Sequence, residues 1–162
     1  MYKLLYNYII AIFASISILI LFSAYFIEYV LGYEACNLCL IGRIPYFLVI
    51  ALGLISFFFT KLKKIILVLI FISFTSSVLI SFYHFGIEQN FFKESLICQL
   101  NGLGRDISAA ELLKEFENNK PKSCKIVSLR IFGLSLATIN LFISLMLSIT
   151  TFKYILTNEK NK

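Results

Sequence analysis

The sequence predicts an all-α membrane protein, a bundle of four transmembrane helices. Three observations predict it. The chain has 162 residues, of which 59% are hydrophobic and only 15% are charged. A soluble domain carries about 45–50% apolar and about 25% charged residues. Mean hydropathy is +0.87. Four separate windows are long, continuously apolar and almost free of charge, and about 20 such residues in a helix cross the hydrocarbon of a bilayer. Disordered, collagen-like and coiled-coil classes are excluded by the same composition.

The first window is 9–27, which has no charge. The second is 44–60, extendable back to Leu40 if Arg43 sits at the interface. The third, 65–85, holds one histidine, His84. The fourth is 131–152 and again has no charge. The runs are continuous rather than alternating, so helices are expected and a barrel is not. The first window exceeds a signal-peptide h-region and lacks a small-x-small site before Glu28, so it is expected to be a retained span. All four spans are expected to form one membrane domain over 1–162.

The charges orient the bundle. The segments 1–8, 61–64 and 153–162 hold 7 cations in 22 residues, against 8 in the 61 residues of loops 28–43 and 86–130. Three lysines in four residues, Lys61, Lys63 and Lys64, are the strongest single mark. Both termini are therefore expected on the cytoplasmic side. Tyrosines gather near the proposed span ends, Tyr25, Tyr29, Tyr33, Tyr46 and Tyr83 on the side of the cysteines, as an interfacial belt predicts. The long loop carries 7 cations and 6 acids, so it reads as solvated. Within it, Phe91-Phe92 and Leu96-Ile97 suggest an interfacial helix. Ser108 to Glu111 reads as a capping box that opens a helix over 109–116. Glu34 and Glu88 read as solvated loop acids.

The four cysteines carry the chemistry. All lie in the two outer loops, where an oxidising space permits disulfides. Cys36 and Cys39 form a Cys-x-x-Cys unit at the start of span two. There the positive end of a helix dipole favours the thiolate. Arg43 follows Cys39 by about one turn, and its charge suits a thiolate or a developing oxyanion. Cys98 and Cys124 are separated by polar chain, so a bond between them is expected to be exposed, weakly constrained and open to thiolate attack. Two redox pairs on one face suggest an electron relay from water to a lipid-soluble oxidant.

These residues resemble the DsbB family of membrane disulfide-generating oxidoreductases. The resemblance is carried by Cys36-Asn-Leu-Cys39-Leu-Ile-Gly-Arg43-Ile-Pro45-Tyr46, by Tyr83-His84-Phe-Gly86-Ile-Glu88, by Cys98 and Cys124, and by Phe132-Gly133-Leu134-Ser135. It covers nearly the whole chain. It implies that Cys98–Cys124 oxidises a periplasmic thioredoxin-fold partner similar to DsbA, with the attack at Cys98. It implies that Cys36 exchanges with the second loop and that Cys39 contacts a membrane quinone (ubiquinone or menaquinone). Arg43 would help bind the quinone, and His84 would line the same site. The location implied is the bacterial inner membrane, with the cysteines on its periplasmic side. Two positions depart from the family pattern: Gly42, where relatives often carry a polar or acidic residue, and Leu129, where they often carry an aromatic.

Three other readings are weaker. An inert tetraspan stapled by disulfides is disfavoured because a Cys-x-x-Cys bond closes a tiny loop and adds little constraint. A four-thiolate zinc site is disfavoured because Cys98 and Cys124 are far apart in sequence. A vitamin K epoxide reductase-like enzyme carries its Cys-x-x-Cys near the last span, not before span two. A DsbB relative dedicated to one substrate is not separated by sequence.

Overall fold

A computed structural model describes residues 2–33, 35–59, 62–93, 98, 124, 130–131 and 133–160. Helix α1 runs Tyr2–Tyr29, α2 Asn37–Ile41, α3 Ile44–Phe58 and α4 Lys63–Glu88. A two-stranded ladder follows, β1 Arg130–Ile131 and β2 Leu134–Ser135, and then α5, Leu136–Lys160. Four stretches are long and apolar enough to cross a membrane: Tyr8–Tyr29, Asn37–Phe58, Lys63–Glu88 and Leu136–Thr157. The shorter ones reach about 33 Å at 1.5 Å per residue, which matches a hydrocarbon core of about 30 Å.

Helix α1 packs on α3, α3 on α4, and α4 most extensively on α5. The core between them is built from Ile10 and Phe13 of α1, Tyr46 and Val49 of α3, and Ile70 and Phe74 of α4. Small residues set the helix spacing. A Cβ on Gly53 would lie 2.9 Å from that of Ala14, so α1 and α3 approach as closely as glycine permits. Some buried hydroxyls are satisfied within their own helices: Ser17 donates to the Phe13 carbonyl at 2.9 Å, and Thr151 to that of Leu147 at 2.7 Å. Large apolar side chains such as Phe22, Phe57, Phe58, Leu79 and Met146 point outward. Lipid is the solvent that accepts them.

Two span boundaries differ from the sequence expectation. The second stretch begins at Asn37 and comes in two pieces, broken at Gly42 and Arg43. Pro45 has no N–H to give to Ile41, so the first helix stops and a second restarts with the proline in its first turn. The fourth helix begins at Leu136 rather than 131. Arg130 pairs with Ser135 and Ile131 with Leu134 across Gly133, whose φ is +81°. That left-handed turn is incompatible with a helix there. The Ser135 hydroxyl then accepts the Thr138 N–H at 3.2 Å and caps α5.

Tyr46 is a correction to the aromatic belt. It is 2% exposed, and its hydroxyl donates to Asn140 Oδ1 at 2.7 Å in the bundle interior. The expected helix over 109–116 and the pair Leu96-Ile97 lie outside the described residues. Phe92 stacks on Tyr83 at 5.7 Å. It leaves no room for a side chain at Gly86.

Candidate functional site

Cys36 is the residue that starts α2. Its backbone is extended, and its Sγ accepts the Cys39 N–H at 3.3 Å. The loop before α2 thus points one sulfur into the first turn, where three residues later the second sulfur comes round. The two Sγ atoms are 2.8 Å apart and are not bonded. Helix α4 brings His84 to the same place, with Nε2 3.6 Å from Cys36 Sγ.

This environment holds the Cys36 thiol far below its ordinary range, at about 4. The hydrogen bond with the Cys39 thiol is the main cause. Burial opposes it, and the hydrogen bond and charge of His84 add to it. Magnitudes decide what the low value is for. At pH 7 it raises the thiolate fraction about 100-fold over a thiol that titrates near 9. It also lowers intrinsic nucleophilicity by about 100–300-fold. The two nearly cancel, so Cys36 gains little as an attacking group. What remains is a good leaving group and a stabilised reduced form, and both make a Cys36–Cys39 disulfide a strong oxidant.

A pH profile checks this. Alkylation of reduced Cys36 is expected to be flat from about pH 8 down to about pH 5. It should fall only as pH approaches about 4, where the thiolate takes up its proton. A rate that climbs about tenfold per pH unit between about pH 6 and pH 8 would contradict a depressed thiol.

Cys98 and Cys124 form a disulfide, with Cα atoms 5.7 Å apart. It is not exposed, contrary to the sequence expectation. Both residues are 2% exposed and pack with Leu38 of α2 and Ile87 of α4, with Cys36 and Tyr83 against the same cluster. Apolar contact explains the difference: α2 and the end of α4 offer Leu38 and Ile87 as an apolar surface on which the disulfide packs. His84 also hydrogen-bonds the Cys124 main chain. One histidine therefore touches both cysteine pairs.

Glu88 is a second correction. It is not a solvated acid, because its side chain is 8% exposed. One carboxylate oxygen lies 3.8 Å from His84 Nε2, one turn earlier on α4. The other accepts a short hydrogen bond from Ser135, whose hydroxyl is also 2.9 Å from that of Thr138. Glu88 is thus anchored at Ser135, the residue that caps α5, and faces the histidine.

Arg43 sits at the break between α2 and α3. Its guanidinium lies 2.5 Å from Glu28 at the end of α1, a contact of charges rather than an aligned hydrogen bond. It also lies over the Tyr25 ring, 4.6 Å from the centroid. The arginine side chain is 10% exposed, so it does not simply reach for the headgroups.

Cys36, Cys39, Cys124, His84, Arg43 and Glu28 line one cavity of about 540 Å³. The rest of its wall is mostly aliphatic, including Ile20 of α1, Ile80 of α4 and Ile139 of α5. A largely apolar pocket of a few hundred Å³ with a few polar groups at one end suits a flat head group on a hydrocarbon tail. The six residues expected from sequence are therefore gathered at one place, with Cys98 joined through its bond to Cys124. Glu28, Tyr25, Glu88 and Ser135 were missed. The spacing His84-x-x-x-Glu88 was a visible signal for one of them, since such residues share a helix face.

A four-span bundle that sets an open thiol pair against a bonded one defines a membrane oxidoreductase of disulfide formation. The chain belongs to the DsbB family: residues 6–153 match the family model described as disulfide bond formation protein DsbB. It is also 32% identical over 136 residues to an uncharacterized protein of Rickettsia prowazekii (strain Madrid E), covering 83% of this chain and 79% of that one.

Proposed function

We propose that the chain re-oxidises a periplasmic, DsbA-like thioredoxin-fold dithiol and passes the electrons through Cys98/Cys124 and Cys36/Cys39 to a quinone of the inner membrane. The lysine-rich segments lie on the cytoplasmic side and the cysteines on the periplasmic side. One observation carries the reading: Cys36 packs against the Cys98–Cys124 disulfide and, with Cys39 and Cys124, lines the apolar cavity.

A thiolate of the partner attacks Cys98 Sγ, the Cys98–Cys124 bond breaks, and Cys124 leaves as a thiolate. The second partner thiol then attacks the mixed disulfide and releases Cys98, so the partner is oxidised and the loop holds two thiols. Those thiols reduce the Cys36–Cys39 disulfide in the same manner. Two electrons now rest on Cys36 and Cys39, and Cys98–Cys124 is bonded again. The structure has this arrangement of bonded and open pairs. His84 stabilises the Cys36 thiolate at 3.6 Å, and Glu88 holds His84 toward it. Arg43, oriented by Glu28 and Tyr25, and His84 hold the quinone head group, with the aliphatic wall taking its tail. A bound quinone supplies the two-electron, two-proton acceptor.

The test is a purified assay. The detergent-solubilised chain is mixed with a reduced thioredoxin-fold protein and a soluble ubiquinone, and quinone absorbance is followed. Catalytic loss that needs both the dithiol and the chain is expected. No loss with both disulfides intact at the start would overturn the reading.

A further inference from the structure

We propose that the reduced Cys36/Cys39 pair, with His84 and Glu88, is a binding site for a thiophilic divalent cation, Zn2+, which exists only while the pair is open. The inference requires that Cys36 and Cys39 occur as thiols. It does not require the electron route proposed above.

The donor atoms come from two elements. Cys36 and Cys39 lie three residues apart on the first turn of α2, and His84 reaches in from α4. Their ligand atoms all lie within 4.8 Å of one another. A tetrahedral zinc ion holds sulfur at about 2.3 Å and nitrogen at about 2.0–2.1 Å, which sets a sulfur and a nitrogen ligand about 3.6 Å apart and two sulfurs about 3.8 Å apart. The Cys36 Sγ to His84 Nε2 distance is already 3.6 Å. The two sulfurs, at 2.8 Å, must open by about 1 Å. A side-chain rotation supplies that, because Cys36 precedes the helix and is not locked inside it.

Glu88 is the neighbouring carboxylate that can complete the set. The oxygen that faces His84 lies 3.8 Å from its Nε2, where one tetrahedral ion sets oxygen and nitrogen about 3.4 Å apart, and it stands outside the cluster of the other three ligand atoms, so it must move inward to bind. Its other oxygen is held by Ser135, which fixes the carboxylate. The hydrogen bond between His84 and the Cys124 main chain orients the ring, as ligand histidines require. Cys98 and Cys124 are bonded to each other and so supply no thiolate, which leaves His84 as the third ligand beside Cys36 and Cys39. Cys36, Cys39, His84 and Glu88 all line the cavity, which gives an ion its way in.

Binding is a proton exchange, not a redox step. Two thiols and one Zn2+ give a zinc bis-thiolate, and any protons still on sulfur go to solvent. Forming the Cys36–Cys39 disulfide removes both sulfur donors and expels the ion. Bound zinc, in turn, occupies the electron pairs that oxidation needs. The cation is thus a reversible brake on the reduced form.

The experiment uses Co2+ as a coloured probe and Zn2+ as its competitor, on the full chain in detergent, reduced with a phosphine. The variant Cys98→Ser/Cys124→Ser retains only Cys36 and Cys39, so any thiolate-to-cobalt absorption arises from them. Expected are one Co2+ per chain, displaced by one Zn2+, and loss of both on oxidation of the pair. Cys39→Ser should abolish the band, and His84→Ala should weaken affinity by at least about 100-fold, since even groups behind a ligand are worth about 10–100-fold. No band from reduced protein would overturn the site, and so would an affinity unchanged in His84→Ala. In case the double variant does not fold, wild-type protein gives an independent readout. Zinc should protect Cys36 and Cys39 from alkylation, read by peptide mapping, and unprotected thiols at saturating zinc would overturn the site equally. Turnover with quinone in the absence of metal binding would sink this inference alone. Metal binding without turnover would sink only the proposed electron route.

Discussion

Cys36→Ser is expected to cut steady-state oxidation of a thioredoxin-fold dithiol to background, yet to leave one burst of oxidation per chain. The Cys98–Cys124 bond is formed without help from Cys36, so it can accept one pair of electrons. With serine at position 36 those electrons have nowhere to go, because a hydroxyl neither forms a disulfide nor leaves as one. Cys98→Ser is expected to abolish the burst as well, since the bond that is attacked no longer exists. Rapid mixing with a measured excess of dithiol separates the two. Wild-type turnover in either variant would overturn the relay. A missing burst in Cys36→Ser would mean that the partner attacks the first pair directly.

The second large effect concerns the Arg43–Glu28 ion pair in the cavity wall. Glu28→Leu removes the only acid that pairs with Arg43 among the described residues, at a place where the arginine side chain is 10% exposed. Breaking a buried pair by removing one partner costs about 3–5 kcal/mol, and the partial exposure of Glu28 places this case near the lower end. The thermal midpoint in detergent should therefore fall. The double variant Glu28→Leu/Arg43→Leu removes both charges and should recover most of that loss. Its quinone-dependent turnover should stay low, because the arginine is gone. Arg43→Ala alone should raise the KM for quinone more than it lowers reaction with dithiol. A double variant no more stable than the single one would show that the pair contributes nothing, and an unchanged KM in Arg43→Ala would remove Arg43 from the quinone site.

Much of the fold was legible because its cause is local. Each apolar window announces a span by its own composition, and no neighbour is needed to read it. Pro45 marks a helix start for the same kind of reason, since a missing N–H is a property of one residue. The span ends were less legible. Ile131 is apolar enough for a span, but the hairpin across Gly133 takes the chain elsewhere, and hydropathy has no information on φ.

The candidate site divides along the same line. Sequence alone determined that the four cysteines fall in the two loops that follow the first and third spans, that Cys36 and Cys39 meet within one helical turn, and that Arg43 stands beside them. It assigned Glu88 to solvent and left Glu28 without a partner. Tertiary structure decided that the Cys98–Cys124 bond is buried under Tyr83 and beside Cys36, that His84 joins both pairs, and that Glu28 of α1 neutralises Arg43. The physical reason is one of range. Transfer to lipid sums over neighbouring residues and is written along the chain. Ion pairs and sulfur contacts depend on a few ångströms between helices, and the packing of α1, α3, α4 and α5 sets those distances only after the spans are in place.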